Sequence, residues 1–124
     1  MNKNFFKLDD IIAYQIASDL GDYVWKIASK WDIFAKKTIG SQFVDSMDSV
    51  AANIAEGFGR FHKKDKQKFY YNARGSAYES AHWCRKCYQR ALLTKEENEY
   101  IIEGLRKLPK EINTLIKLTG NLKI

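Results

Sequence analysis

One proline and seven glycines are too few for the many tight turns of an all-β chain of 124 residues, so long helices are the economical reading. Cysteine is scarcer than glycine. Cys84 and Cys87 stand three residues apart within one helical pattern, which is not the cross-linked framework of a small secreted domain and suits a reducing cytoplasm. No run approaches the ~20 apolar residues of a membrane span. The stretch from Met1 to Asp10 has no long apolar segment ahead of its acids, so neither a membrane partner nor a secretory signal is expected. A glycine-rich phosphate loop, a nucleophile beside a base and a metal cage are all lacking. With them go the expectations of an enzyme and of a cofactor.

What is present is helical periodicity. Apolar residues make up 45% of the chain, enough for a single domain over residues 1–124 that buries roughly two thirds of the surface its unfolded form exposes. A first helix is expected from about residue 9, capped by Asp9 or Asp10, to residue 30, with Leu8, Ile12, Ile16, Leu20, Val24, Ile27 and Trp31 on one face. Gly21 within it costs roughly 1 kcal/mol relative to alanine, or marks a close helix crossing. A link rich in apolar rings leads to a second helix over about residues 35–58, whose buried stripe is Ile39, Phe43, Met47, Val50, Ile54 and Phe58. Beside it Ala51, Ala52 and Ala55 permit a close neighbour, and Gly57 and Gly59 suit a left-handed exit from the helix.

A third helix starts near Asp65, read as its cap, and carries Phe69, Ala73, Ala77, Ala81, Cys84, Tyr88 and Ala91 on one stripe. Leu92 and Leu93 form a turn, and Thr94 and Glu97 have the spacing of a capping box. The fourth helix follows Ile101, Leu105, Leu108, Ile112, Leu115 and Thr119 to a stop at Gly120 and Asn121. Pro109 interrupts it with a lost hydrogen bond and a kink. Short links make neighbours antiparallel, so the expected fold is all-α, an up-down-up-down antiparallel four-helix bundle. Tyr70, Tyr71, Tyr78, Tyr88 and Trp83 cover more than one inward stripe of the third helix. Some of these rings are therefore expected to meet another subunit.

Lysine and arginine outnumber the acids by 21 to 15, a net charge of +6 that favours polyanionic partners. The densest charge lies between Gly59 and Lys68, where Arg60, Lys63, Lys64, Lys66 and Lys68 face the single acid Asp65, with Phe61 and His62 among them. Such a segment can neutralise phosphates while a ring stacks on an exposed base. The plainer reading is a solvated helix start. Cations at a helix amino terminus oppose its dipole, however, which a purely structural sequence tends to avoid. Arg74 extends the candidate nucleic-acid surface along the third helix.

Asn53, Glu56, Arg74 and Glu79 are the second polar set. They read as a buried or interfacial salt-bridge network that fixes helix register, since nothing beside them supplies the rest of an acid-base site. His82, Cys84 and Cys87 are zinc-type ligands by chemistry, but positions 82 and 84 point about 200° apart around a helix axis. The thiols are therefore expected to pack in a core or interface, with no metal.

Two segments carry a resemblance: Ser49-Val-Ala-Ala-Asn53-Ile-Ala-Glu56-Gly57-Phe-Gly59-Arg60 and Phe69-Tyr-Tyr-Asn-Ala73-Arg74-Gly75-Ser76-Ala-Tyr-Glu79-Ser. From Phe6 and Leu8 to the seam of the fourth helix, the chain resembles the bacterial four-helix-bundle proteins encoded in intervening sequences of 23S ribosomal RNA genes, also called the S23 ribosomal protein family. Ala77 stands where the family commonly has leucine, and Val50 where it has isoleucine; both keep apolar character. The resemblance, which extends to accessory proteins of diversity-generating retroelements, implies a ring oligomer, a homopentamer, that binds nucleic acid or a reverse transcriptase without catalytic activity. The expected function is thus that of a cytoplasmic, non-enzymatic nucleic-acid binding protein, with RNA favoured. The alternative is a protein-interaction scaffold for a partner such as a reverse transcriptase.

Overall fold

Four stretches of helical periodicity become four long helices, α1 (Ile12–Ala28), α2 (Ser41–Gly59), α3 (Lys63–Gln89) and α4 (Lys95–Gly120). The structure, a computed structural model, describes residues 7–123; the residues before them, including Phe6 and most of the segment read for a secretory signal, lie outside the described residues. No strand occurs among the described residues. α2 packs against α1 and α3, and α4 packs against α3 and α1. The α1/α2 and α3/α4 faces are therefore opposite sides of an up-down-up-down bundle.

The helix ends follow local chemistry, not always the expected residue. Asp9 and Asp10 lie in a 3-10 turn, Leu8–Asp10, and Asp10 accepts a hydrogen bond from the Lys7 N–H at 3.0 Å. α1 then starts behind Ile11, with no side-chain cap. Before α2, the Asp32 carboxylate accepts from the Ala35 N–H at 2.9 Å and nucleates a helical turn, Ile33–Ala35. A π-helical turn, Lys36–Gly40, carries it into α2 without a break. α3 begins at Lys63, two residues ahead of the expected Asp65 cap, with His62 in the cap position and Asp65 inside the first turn. The Thr94 capping box forms as expected: Thr94 Oγ1 accepts from the Glu97 N–H at 3.1 Å, and Glu97 Oε1 accepts from the Thr94 N–H at 2.9 Å. Pro109 sits inside α4, which continues as one helix to the expected stop at Asn121.

Neither glycine at the end of α2 is left-handed. Arg60 ends the helix in an extended conformation, φ −77° and ψ 153°. Gly57 is instead required by close approach, because a Cβ there would lie 2.6 Å from Tyr70 Cε1 and 3.0 Å from the Lys66 carbonyl oxygen. The left-handed residue among those described is Ala91, φ 61°, in the turn after α3. It is exposed, not part of the inward stripe assigned to it from spacing.

The core stripes of α2 and α4 match their periodicity except near the end of α4, where Ile116 is buried and the expected Leu115 is half-buried. Phe43, Met47, Val50 and Ile54 are fully buried, as are Ile101, Leu108 and Ile112. α1 is rotated from expectation: Ala13, Ala17, Leu20, Val24 and Ala28 face inward, whereas Ile12 is 54% exposed. The reason is proximity. A Cβ on Gly21 would come within 2.7 Å of Asp48 Oδ1, and one on Gly104 within 2.7 Å of Leu20 Cδ1, so α1 presents its small residues where its neighbours are closest. On α3 the stripe is Tyr70, Ala73, Ala77, Ser80, Cys84 and Cys87, in strict three-four alternation as a supercoiled seam requires. Phe69 and Tyr88 yield their expected places to Tyr70 and Cys87. Ser80 is tolerated in the core because its hydroxyl pairs with that of Ser46 at 3.1 Å, and the Ser46 hydroxyl also donates to the Phe43 carbonyl.

Candidate nucleic-acid interface

Three helix termini meet at one end of the bundle. α2 ends at Gly59, α3 begins at Lys63, and the end of α4 is tied to α3 by hydrogen bonds from Gln67 Nε2 to the Ile116 carbonyl at 3.2 Å and from Lys63 Nζ to the Gly120 and Leu122 carbonyls at 3.3 and 2.6 Å. Two of the termini are carbonyl ends, with partial negative charge. This explains why cations collect at the start of α3. Lys63 answers the end of α4, and Lys66 Nζ donates to the Phe58 and Gly57 carbonyls at 2.8 and 3.4 Å, closing the end of α2. Partial burial pushes the Lys66 pKa below its usual value. For these two lysines the cost of a cation at a helix start is therefore offset by the carbonyl ends they close.

The other cations divide by their engagement. Arg60 pairs with Glu56 one turn back, at 2.7 Å, and its guanidinium lies 4.7 Å from the centre of the Phe69 ring. Lys68 approaches the same ring at 5.8 Å. Arg74 Nη1 donates to Asn113 Oδ1 at 2.6 Å and its guanidinium covers Tyr71 at 4.9 Å. Lys64 and His62 are exposed; His62 meets Phe61 edge to face at 5.0 Å, and Phe61 itself is 72% exposed. The exposed surface of this end thus includes an apolar ring at the tip of a three-residue turn, His62 against it, and Lys64 and Lys68 on the first turns of α3. Phe69 as a cation platform and Gln67 as a tie between helices escape a reading by charge alone, since neither carries one.

Asn53, Glu56, Arg74 and Glu79 do not assemble into a network within the chain. Asn53 donates to the Ser49 carbonyl at 2.8 Å, Glu56 holds Arg60, Arg74 reaches Asn113, and Glu79 accepts from Trp83 Nε1 at 3.1 Å. All but the Arg74 bond link residues four apart on one helix, where a side chain finds a partner without crossing to a neighbour.

Both thiols are fully buried, and Cys84 Sγ lies 3.4 Å from Asn98 Oδ1. Burial pushes Cys84 up to about 11 and Cys87 up to about 12, the neighbouring Cys84 adding to the second. They are protonated packing residues, poor nucleophiles and poor ligands at neutral pH. His82 is exposed and rests edge-on against Trp83 at 4.8 Å. No cluster of three metal-ligating side chains occurs among the described residues, and no helix there is long and apolar enough to cross a membrane.

A second basic surface lies on the α3/α4 face. Ala77, Ala81, Ile102, Leu105 and Pro109 floor a groove bordered by Arg106, Lys110 and Lys117. The three cations recur at steps of four and seven along α4, a spacing legible as one outer stripe.

None of the curated proteins matches the chain in sequence. Among solved structures, a protein of unknown function from the S23 ribosomal protein family of Bacteroides thetaiotaomicron superposes with a TM-score of 0.74 at 17% identity, covering 85% of this chain and 98% of its own. At that identity the likeness speaks for the bundle alone. Sequence similarity supplies what the fold cannot: the profile of the 23S rRNA-intervening sequence proteins matches residues 9–114, through all four helices and the basic turn, and the chain belongs to that family.

Proposed function

We propose that this protein is a non-enzymatic RNA-binding protein that acts as a homo-oligomer, a ring of five copies by resemblance to its family, and contacts RNA through the α2–α3 end of the bundle. The observation that carries the reading is Phe61, a large ring 72% exposed at the tip of the turn against His62, with Lys64 and Lys68 exposed on the first turns of α3 that follow it. Most of this ring is open to solvent. It offers a stacking face to an unpaired base, while the lysines offer charge to phosphates. The family's name points to RNA as the nucleic acid. Arg60 and Arg74 are partly occupied by Glu56 and Asn113 and can add a contact only by sharing it.

The test is a titration of labelled single-stranded RNA over a range of salt concentrations. Lys64→Gln with Lys68→Gln should flatten the slope of log affinity against log salt by about 1.4, from ~0.7 per lost phosphate contact. Phe61→Ala should cost about 1–3 kcal/mol of binding and leave the slope unchanged. Unaltered affinity in both variants would overturn the assignment of this surface. Absence of salt-dependent binding to any nucleic acid would favour the second reading, a protein scaffold. That reading has its own observation, since Ile33 and Phe34 are 68% and 77% exposed at the opposite end of the bundle.

A further inference from the structure

The two opposite long faces of the bundle differ in charge, and one presents an exposed indole where the other presents an apolar floor. On the α1/α2 face Trp25 is 59% exposed and borders a shallow groove with Val44 and Asp45. Asp22, one turn before Trp25 on α1, and Asp45 and Asp48 on α2 crowd one another: the Asp48 carboxyl is pushed above its usual range by partial burial, then by the charges of Asp22 and Asp45. Lys36 also borders this groove. On the α3/α4 face the sign reverses. The floor of Ala77, Ala81, Leu105 and Pro109 is apolar, and Arg106, Lys110 and Lys117 stand along it. Arg106 has only a loose pair with Glu103, at 3.6 Å and well exposed.

We propose that the α1/α2 face of one copy docks into the α3/α4 groove of a second, with Trp25 as the knob on the apolar floor and Asp22, Asp45 and Asp48 facing Arg106, Lys110 and Lys117. The apolar floor favours a protein occupant over RNA, because a phosphate backbone satisfies the rim and leaves the floor unfilled, whereas an exposed indole on a face that carries carboxylates satisfies both. The donor and acceptor faces lie on opposite sides of the bundle, so each copy can give one contact and receive another. Such a head-to-tail contact closes into a ring or propagates as a filament. The inference rests on the oligomeric reading above and supplies its interface.

Two charge reversals and their combination test it by sedimentation equilibrium, with circular dichroism confirming helix content. Asp22→Lys with Asp45→Lys, and separately Lys110→Glu with Lys117→Glu, should each weaken self-association at least ~10-fold, in the range of close charge pairs across interfaces. All four changes in one chain should restore the wild-type mass, because the faces are again complementary. Trp25→Ala, a change at an exposed position, should weaken association without loss of helix. A monomeric wild type would remove the oligomer itself. A wild-type oligomer whose mass neither reversal alters would leave the oligomer standing and overturn this docking. So would a combined variant that fails to reassemble, or groove reversals that abolish RNA binding at unchanged mass.

Discussion

Lys64 and Lys66 are two residues apart in sequence and differ in everything that matters for their use. Lys66 is half-buried, with its ammonium on the carbonyls that end α2; Lys64 is exposed and has no partner among the described residues. A hydrogen bond from a charged group to orphan carbonyls contributes about 1 kcal/mol, whereas a lone surface lysine contributes little. Lys66→Gln should therefore lower unfolding free energy by about 1 kcal/mol in urea titrations, and Lys64→Gln should change it by less than ~0.5 kcal/mol. Equal effects would show that the carbonyl contacts are immaterial. The same distinction decides which lysines are suitable for an RNA-binding test. Replacing Lys63 or Lys66 disturbs the junction of three helices, so a lost affinity in those variants would not report on phosphate contact.

Among the elements, the turn from α3 to α4 is under a visible local strain. The Leu92 N–H bonds to the Cys87 carbonyl at 2.9 Å and the Ala91 N–H to the Tyr88 carbonyl at 3.1 Å, the pairing of a left-handed helix stop. Glycine ordinarily occupies the residue at φ 61°, where this chain has alanine. A left-handed L-residue costs about 1–2 kcal/mol, offset in part by the greater entropy glycine has when unfolded. Ala91→Gly is expected to stabilise the protein by about 0.5–1 kcal/mol and to raise Tm by a few degrees for a domain of this size. A lowered Tm would show that the turn is held by something other than its hydrogen bonds.

At the scale of the whole molecule, α3 carries the two thiols into the core, so their chemistry reports on opening of the bundle. Both are inaccessible, and burial holds them at about 11 and about 12, above the ordinary thiol value. Reaction with a thiol reagent near pH 8 should be more than ~100-fold slower in the native protein than in urea-unfolded chain, with both cysteines gated by the same opening. Rapid modification of Cys87 alone would show that the end of α3 opens independently. The pH effect has a definite sign. Groups whose folded pKa is raised leave stability intact below the unfolded thiol pKa and remove it as pH rises towards their folded values, so urea midpoints should fall above about pH 9. Changing both cysteines to serine should reduce that loss between about pH 9 and 10, while above about pH 10 Tyr70, pushed up to about 12 by burial, adds a loss of its own.

The helical class, the four long elements, the seam of α2 and that of α4 as far as Ile112 are determined by the sequence itself, because large apolar residues at steps of three and four leave one way to bury them; beyond it Leu115 and Ile116 compete and packing chooses Ile116. The Thr94 box and the Asn121 stop are equally local. Tertiary structure decided the rest wherever small residues were concerned. Ala13, Ala17 and Ala28 face inward on α1, and Ser80 joins the α3 seam, because helix spacing selects for size there and periodicity of hydrophobicity does not register size. Gly57 likewise answers to the ring of Tyr70 and not to a turn. The basic segment was legible as charge from the residues between Gly59 and Lys68. Its division into cations that close helix ends and cations that face solvent was not, since Lys63 meets the end of α4 across a sequence separation of 57 residues. A carbonyl end that far along the chain is brought to the lysine only by the packing of the bundle.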